Sequence, residues 1–239
     1  MMNAFLYGVA LQWKLDLRNK GILLSYYIVP LVFFAFMGGI LSSINPQAKD
    51  NLIQSMTVFG ISMGAILGAP VSLVELYGSE IKKAYKVGGI PLWIAVINNF
   101  IAAFVHLFIM SLLIYFIAPL AFGAKTPNNL ALYFLALGIF IIVNLLVGTA
   151  LGLLIKSPSK LTMVSQFIFL PSIMLAGIMF PVSLLPKFLE NLGKIFPATW
   201  GFKLMNSDVF DAKIIIPLAV IMLISIVISG YQLSKISLE

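Results

Sequence analysis

The chain has 239 residues, of which 61% are hydrophobic and only 10% are charged. Soluble domains typically contain about 45–50% apolar and about 25% charged residues, so this composition, with a mean hydropathy of +1.08, excludes an ordinary soluble domain. The formal charge of +7 comes from basic residues in short gaps between apolar runs, which is typical of membrane-protein loops and not of a nucleic-acid-binding surface. The absence of cysteine excludes disulfides, thiolate metal sites and cysteine nucleophiles.

The first predicted element is an amphipathic helix over residues 3–20. Its apolar residues recur at helical spacing, and its polar residues take the other sides. Such a helix is expected to lie along the cytoplasmic surface of a membrane before the chain turns into the first span. The apolar stripe consists of Leu6, Val9, Trp13 and Leu17, and the polar sides carry Gln12, Lys14, Asp16 and Arg18.

Six long apolar stretches follow. A hydrocarbon core of about 30 Å requires about 20 apolar residues in a helix, and each stretch is long enough. The sequence therefore predicts an all-α integral membrane protein with six transmembrane helices, forming one domain over residues 1–239. The predicted spans are residues 22–44, 52–74, 92–118, 130–155, 162–181 and 214–233.

The distribution of lysine and arginine predicts the orientation of the chain. Cytoplasmic loops carry the excess of positive charge, and alternate gaps differ clearly in this respect. Both termini are therefore expected in the cytoplasm. The positive gaps hold Lys14, Arg18, Lys20, Lys82, Lys83, Lys86, Lys156 and Lys160, whereas the alternate short gaps hold only Lys49 and Lys125. The longest gap, residues 182–213, holds four more lysines together with Glu190, Asp208 and Asp211, and the charge rule is weakest for long loops.

A shorter amphipathic stretch, residues 184–196, stands before the last span, within a segment of residues 182–200. Leu184 and Phe188 lie on its apolar face, and lysine and glutamate lie on the other face. At about 13 residues the stretch is too short to span a membrane. Pro181, Pro186 and Pro197 interrupt it, which predicts a re-entrant element in the outer leaflet.

The predicted spans contain closely spaced glycines and internal prolines, and each feature can be structural or can serve transport. Gly60, Gly64 and Gly68 form two overlapping GxxxG steps, which indicate close helix packing or a sliding surface used in transport. Pro30 and Pro171 remove backbone hydrogen bonds and kink or loosen their helices. These kinks either help to shape a substrate path or have no role beyond bending the helices.

Polar residues inside the spans are few. His106 is the single histidine and has no carboxylate nearby in sequence. It is predicted to be a neutral residue hydrogen-bonded between helices, or to take part in transport, since intramembrane ionisable residues are functional candidates. Gln166 is expected to bond between helices or to meet substrate on a cavity face.

The sequence carries no arrangement of catalytic residues. A serine hydrolase or a metal-dependent hydrolase requires clustered histidine and carboxylate groups, and neither set is apparent. There is no GxxxxGK[ST] loop to hold a nucleotide. We therefore predict no catalytic residue, no metal site and no cofactor bound by this chain.

The loop over residues 79–91 is the most informative polar segment. Gly88, Gly89 and Pro91 force a turn before the third predicted span. The loop is either a solvated positive loop or a short helix that docks on a cytoplasmic partner. Its charged residues are Glu80, Lys82, Lys83 and Lys86.

Together, these features resemble the permease subunits of the type 2 ABC exporter family, over nearly the whole chain. The amphipathic first helix, the charged loop 79–91 and the segment from Gly177 to Trp200 carry the resemblance. It implies that loop 79–91 is the coupling helix, with Glu80 at the family's acidic position and Pro91 before the next span. Lys82 departs from the family, which often has glycine there.

The resemblance further implies partners and a cargo. They are two copies of a separate ATPase, which binds ATP and Mg²⁺, and a second permease subunit, the same or related. The cargo is a hydrophobic or amphipathic substrate, such as a drug, an antibiotic peptide or a lipid-linked molecule, exported across the cell membrane. The alternatives are a sensor, scaffold or immunity protein without transport, and an ion-coupled secondary transporter.

Overall fold

The computed structural model describes residues 2–44, 46–78, 85, 87–89 and 91–238. Within these ranges the backbone forms helices and connecting turns and no β-strand. Single helical turns cover Pro46–Asp50 and Val182–Leu184. The longer helices are α1 (Met2–Arg18), α2 (residues 20–44), α3 (residues 52–78), α4 (Leu92–Phe122), α5 (Leu130–Leu154), α6 (Pro158–Leu175), α7 (Lys187–Gly193), α8 (Pro197–Met205) and α9 (Ala212–Leu238).

Five helices are long and apolar enough to cross a membrane, namely α2, α3, α4, α5 and α9. The remaining predicted span, residues 162–181, differs from the structure, because α6 begins earlier, ends at Leu175 and has only 18 residues. The helix cannot continue to residue 181, since Gly177 adopts a left-handed φ of +84°, a conformation that commonly ends helices. The described residues therefore contain five candidate spans, and a sixth crossing by α6 stays a prediction.

Two spans contain one widened, π-helical turn each. The turn covers Leu24–Ile28 in α2 and Gly64–Gly68 in α3. Each turn ends two residues before a proline, Pro30 in α2 and Pro70 in α3. Proline lacks an N–H and its ring clashes with the carbonyl four residues earlier, and the extra residue in the turn relieves that clash. The loosening expected at Pro30 takes this form, whereas Pro171 lies in α6 without a π-helical turn.

The centre of the bundle is the contact between α3 and α5. Among the candidate spans, α3 is the most buried and α9 the least. Gly148 of α5 lies directly against the carbonyl oxygen of Ala65, and a Cβ atom on Gly152 would be 3.0 Å from the carbonyl oxygen of Pro70. Small residues allow two helix backbones to approach closely and gain dispersion contacts. These two glycines therefore set the distance between the central helices.

The segment before α9 contains the short helices α7 and α8. Of the predicted amphipathic stretch over residues 184–196, α7 covers seven residues. Pro186 precedes the first turn of α7, and Pro197 opens α8. Proline is well suited to the first turn of a helix, where its missing N–H leaves no hydrogen bond unmade. The chain therefore starts a new helix at Pro197.

The start of α8 caps the end of α7. The hydroxyl of Thr199 donates a hydrogen bond to the carbonyl of Gly193 at 2.6 Å. The indole N–H of Trp200 donates to the carbonyl of Lys194 at 2.7 Å. Because the last carbonyls of a helix lack partners within it, these two bonds hold α7 and α8 together as one helical hairpin.

Candidate functional site

The amino-terminal helix α1 packs along α4. A Cβ atom on Gly8 would lie 2.5 Å from Nδ2 of Asn98. Further along, the ring of Trp13 stacks on the ring of His106 with 3.8 Å between centroids. Asn98 and His106 are about two helical turns apart. The two helices therefore run side by side, in the same direction, over this length.

The face of α1 that contacts the protein differs from the predicted apolar stripe. Val9 and Trp13 of that stripe are half-buried, but Leu6 and Leu17 are exposed. Asp16, predicted on a polar side, is buried instead. The buried face of α1 includes Asp16 because this face packs against polar groups of α3 and α4, and the aspartate interacts with them.

His106 occupies the centre of a buried polar site. Its Nδ1 atom lies 2.8 Å from the hydroxyl oxygen of Tyr27 in α2, at hydrogen-bonding distance. Trp13 covers one face of the imidazole with an interplanar angle of 8°, and the ring of Tyr26 lies at 5.3 Å. Nε2 has no hydrogen-bond partner among the described residues. The hydrogen bond between helices expected for His106 is thus present, with α2.

Asp16 faces the free nitrogen of His106. Its Oδ2 atom lies 3.9 Å from Nε2, and each of the two side chains exposes only 1% of its surface. Oδ1 accepts hydrogen bonds from Nε2 of Gln12 at 2.8 Å and from the hydroxyl of Ser72 at 3.2 Å. Oδ2 has no hydrogen-bond partner within the described part of the chain. The acid that the sequence around His106 lacks is therefore supplied by α1.

Burial changes the acidity of Asp16. It raises the pKa of this carboxyl from 3.8 to about 6, because the charged form is poorly solvated in the protein. The hydrogen bonds from Gln12 and Ser72 act in the opposite direction, and the negative charge of Glu75 adds to the rise. Asp16 can therefore gain and lose a proton near neutral pH.

We call this group of five side chains the His106 cluster. It unites helices α1, α2 and α4, and the π-helical turn of α2 contributes two of its members. Sequence reasoning found only His106, because its partners lie far away in the chain. The members are Trp13, Asp16, Tyr26, Tyr27 and His106.

The glycines of α3 pack against α2 and α4 beside this cluster. A Cβ atom on Gly68 would lie 2.7 Å from Cε1 of Tyr26. Gly64 is in contact with Leu107, and a Cβ atom on Gly60 would lie 2.5 Å from Cε of Met110. The three glycines thus lie at close contacts within the chain, where a larger residue would displace a neighbour.

The charged residues of loop 79–91 lie outside the described residues, namely Glu80, Lys82, Lys83 and Lys86. The end of the loop is described. Gly88 and Gly89 are exposed in a turn, and Gly89 has a left-handed φ of +64°, which favours glycine. Pro91 is exposed and immediately precedes α4.

Most of the remaining predicted site residues lie on the surface of the bundle. Gln166 is exposed on α6, and Pro171 is half-buried in the same helix. In the outer segment, Leu184 and Phe188 expose 72% and 73% of their surfaces. Pro181 and Pro186 are exposed, and Pro197 is buried.

The two weakly basic gaps lie at one end of α3, and a contact between α3 and α4 lies at its other end. The backbone N–H of Lys125 donates to the carbonyl of Lys49 at 3.1 Å, so the two weakly basic gaps meet. At the opposite end of α3, the hydroxyl of Tyr77 donates to the carbonyl of Leu92 at 2.8 Å. This second contact adjoins loop 79–91.

The arrangement defines a multi-pass membrane protein whose conspicuous buried polar groups join helices. Among the described residues, no three His, Cys, Asp or Glu side chains come together as a metal site. The sequence matches the ABC-2 type transporter family over residues 3–210, well over half of the chain. The chain therefore belongs to this family of membrane transport components. No curated protein matches the sequence.

Proposed function

We propose that the chain is the permease subunit of an ATP-driven exporter. It moves a hydrophobic or amphipathic molecule, such as a drug, an antibiotic peptide or a lipid-linked molecule, out of the cell. The chain lies in the cell membrane with both termini in the cytoplasm and dimerises with a second permease subunit, the same or related. Two copies of a separate ATPase bind ATP and Mg²⁺ and drive the movement.

The family match over residues 3–210 is the observation that carries this proposal, since it extends from α1 through the helical hairpin of α7 and α8. The outward surfaces of the helices add support. Phe36 of α2 and Phe167 of α6 expose 69% and 73% of their surfaces. Such apolar surfaces suit contact with lipid, with a second subunit or with an apolar substrate.

Loop 79–91 is the proposed coupling element. It connects α3 to α4, and the hydrogen bond between Tyr77 and Leu92 ties the end of one helix to the start of the other. A force applied to the loop by a partner would therefore act on both helices together. The left-handed turn at Gly89 fixes the direction in which the loop enters α4.

The test is association with the ATPase after a charge exchange in this loop. Glu80→Lys combined with Lys86→Glu keeps the net charge but rearranges the docking surface. We expect this variant to insert and dimerise normally and to lose ATPase copurification or substrate-stimulated ATP hydrolysis.

The matched control exchanges charges at the other end of the molecule. Glu190 and Lys194 form an ion pair at 3.4 Å on α7, and Glu190→Lys with Lys194→Glu preserves that pair. This control should copurify the ATPase at the wild-type level. Copurification and export at wild-type rates by the loop variant would refute the coupling role. If the wild-type chain copurifies no ATPase, a sensor, scaffold or immunity protein is favoured.

A further inference from the structure

The contact between α1 and α4 contains two buried polar atoms that face each other and have no hydrogen-bond partner in the described part of the chain. They are Oδ2 of Asp16 and Nε2 of His106, 3.9 Å apart. An unpaired buried polar group is costly, and a separation of 3.9 Å is too long for a direct hydrogen bond. One proton added to the pair would convert this unfavourable contact into an attraction.

We propose that Asp16 and His106 together form a proton-binding site that fixes α1 against α4. With the proton bound, the pair is a carboxylate facing an imidazolium, or equally a carboxyl group facing a neutral imidazole, because the proton belongs to the pair. Without it, an ionised carboxylate lies buried beside a neutral ring. The proton is taken from water and returned to water, and no other bond changes.

The neighbouring side chains are suited to this exchange. Tyr27 is bonded to Nδ1 of His106, and its hydroxyl can donate or accept, so it satisfies either tautomer of the ring. Asp16 keeps its hydrogen bonds from Gln12 and Ser72, which hold the carboxyl group in place while the proton moves.

The charged and titratable groups around the pair come from each helix that packs on it. From α2 these are Tyr26 and Tyr27, and from α3 Glu75, which is exposed and acts on Asp16 electrostatically. On α1 and α2, the basic residues next to the site point outward, namely Lys14, Arg18 and Lys20. Among these exposed residues, no basic side chain lies at hydrogen-bonding distance from Asp16.

The site lies where α1 leads into the first span. Occupation by a proton would hold α1 along α4, and loss of the proton would weaken that contact. The proposal does not depend on the partner of the chain, because it concerns contacts within one subunit. It can therefore fail while the exporter proposal stands, and the reverse is also true.

Trp13 provides a direct reporter, since its ring stacks on His106 at 3.8 Å and an imidazolium in contact with indole quenches its fluorescence. The chain has three tryptophans, so Trp93→Phe with Trp200→Phe leaves Trp13 alone. In detergent-purified protein, we expect Trp13 fluorescence to fall as the pH decreases between about 8 and about 5. His106→Gln in the same background should abolish the transition.

Asp16→Asn separates the pair from an isolated histidine. Without the carboxylate, the imidazolium loses its partner, so the midpoint of the transition should move to lower pH by about 1 unit or more. The matched control Glu75→Gln removes an exposed carboxylate nearby and should move it by less than about 0.5 unit, since water and salt screen exposed charges.

A second variant tests the carboxyl group from the other side. Ser72→Ala removes a donor that stabilises the ionised form of Asp16, so the midpoint should move to higher pH, opposite to Asp16→Asn. This variant decides the matter if Asp16→Asn does not fold. Equal midpoints in the wild type and both variants would overturn the proposal, as would a stability difference between the wild type and Asp16→Asn that is independent of pH in thermal unfolding.

Discussion

Two acid–base pairs at opposite ends of the bundle differ in almost every respect. Asp16 and His106 are 3.9 Å apart and each exposes 1% of its side chain. Asp50 and Lys125 are only 2.8 Å apart, but their side chains expose 46% and 74%. The Asp50–Lys125 pair is exposed to water, which weakens the attraction between its charges. The Asp16–His106 pair is buried, so water cannot solvate one of its members when the other is removed. Burial, and not distance, decides which pair joins the helices.

The two pairs also connect different parts of the fold. The Asp50–Lys125 pair links the connections before α3 and before α5, beside the backbone bond between Lys125 and Lys49. The Asp16–His106 pair joins α1 to a membrane-spanning helix. A change in the first pair is therefore confined to surface connections, whereas a change in the second affects how a whole helix packs.

The largest expected effect follows from removing His106. His106→Ala leaves a cavity under Trp13 and deprives Tyr27 and Asp16 of their neighbour, which should lower the free energy of unfolding by about 3 kcal/mol. The midpoint of thermal unfolding in detergent should fall by roughly 5–10 °C. The matched variant Lys125→Ala should cost less than about 1 kcal/mol. Equal losses in the two variants would refute the comparison.

The next effect is a dependence of stability on pH. The folded pKa of Asp16, about 6, exceeds the value of about 3.9 expected in the unfolded chain, so the folded protein binds more protons between these values. Stability therefore rises as the pH falls through 6 and the gain is complete below the unfolded value. The contribution of Asp16 should be about 1 kcal/mol more favourable at pH 5 than at pH 8.

This contribution is measured as the difference between the wild type and Asp16→Asn in thermal unfolding at the two pH values. The difference should grow in favour of the wild type at the lower pH. The same comparison with Asp50→Asn should show no such growth, because Asp50 is exposed. Parallel pH profiles for the wild type and Asp16→Asn would contradict the assignment.

The smallest expected effect is that of salt. Raising the salt concentration should reduce the stability difference between the wild type and Lys125→Ala by less than about 0.5 kcal/mol, since exposed pairs are screened. The difference between the wild type and His106→Ala should stay constant. A salt effect of the same size on both would mean that water reaches the His106 cluster.

The sequence predicted the spans well because each is specified by its own local composition. Residues 52–74 and 130–155 correspond closely to α3 and α5, where long apolar runs leave little choice. The helix over residues 162–181 was less well predicted, because its end depends on the left-handed conformation of Gly177. Gly177 and Pro181 in the sequence indicated that a helix could end in this region, but they did not specify the residue at which it ends.

The His106 cluster could not be predicted, because it depends on contacts between distant parts of the chain. Asp16 was assigned to a polar side on the assumption that α1 packs only on a membrane surface. A usable signal was present, since Val9, Gln12, Trp13 and Asp16 lie on one face of a helix at intervals of three or four residues. An acid beside a tryptophan on a half-apolar face can indicate a buried polar partner.

Every expectation about the buried pair requires α1 to lie along α4, and a disulfide cross-link tests that packing most directly. The chain has no cysteine, so Gly8→Cys with Asn98→Cys introduces a single possible disulfide within the chain, at a position where a Cβ atom on Gly8 would lie 2.5 Å from Nδ2 of Asn98. We predict rapid cross-linking under mild oxidation, seen as a shift in gel mobility, and little cross-linking for Leu11→Cys with Asn98→Cys, since Leu11 is exposed. Absence of the first cross-link, or equal yields from both pairs, would contradict the account.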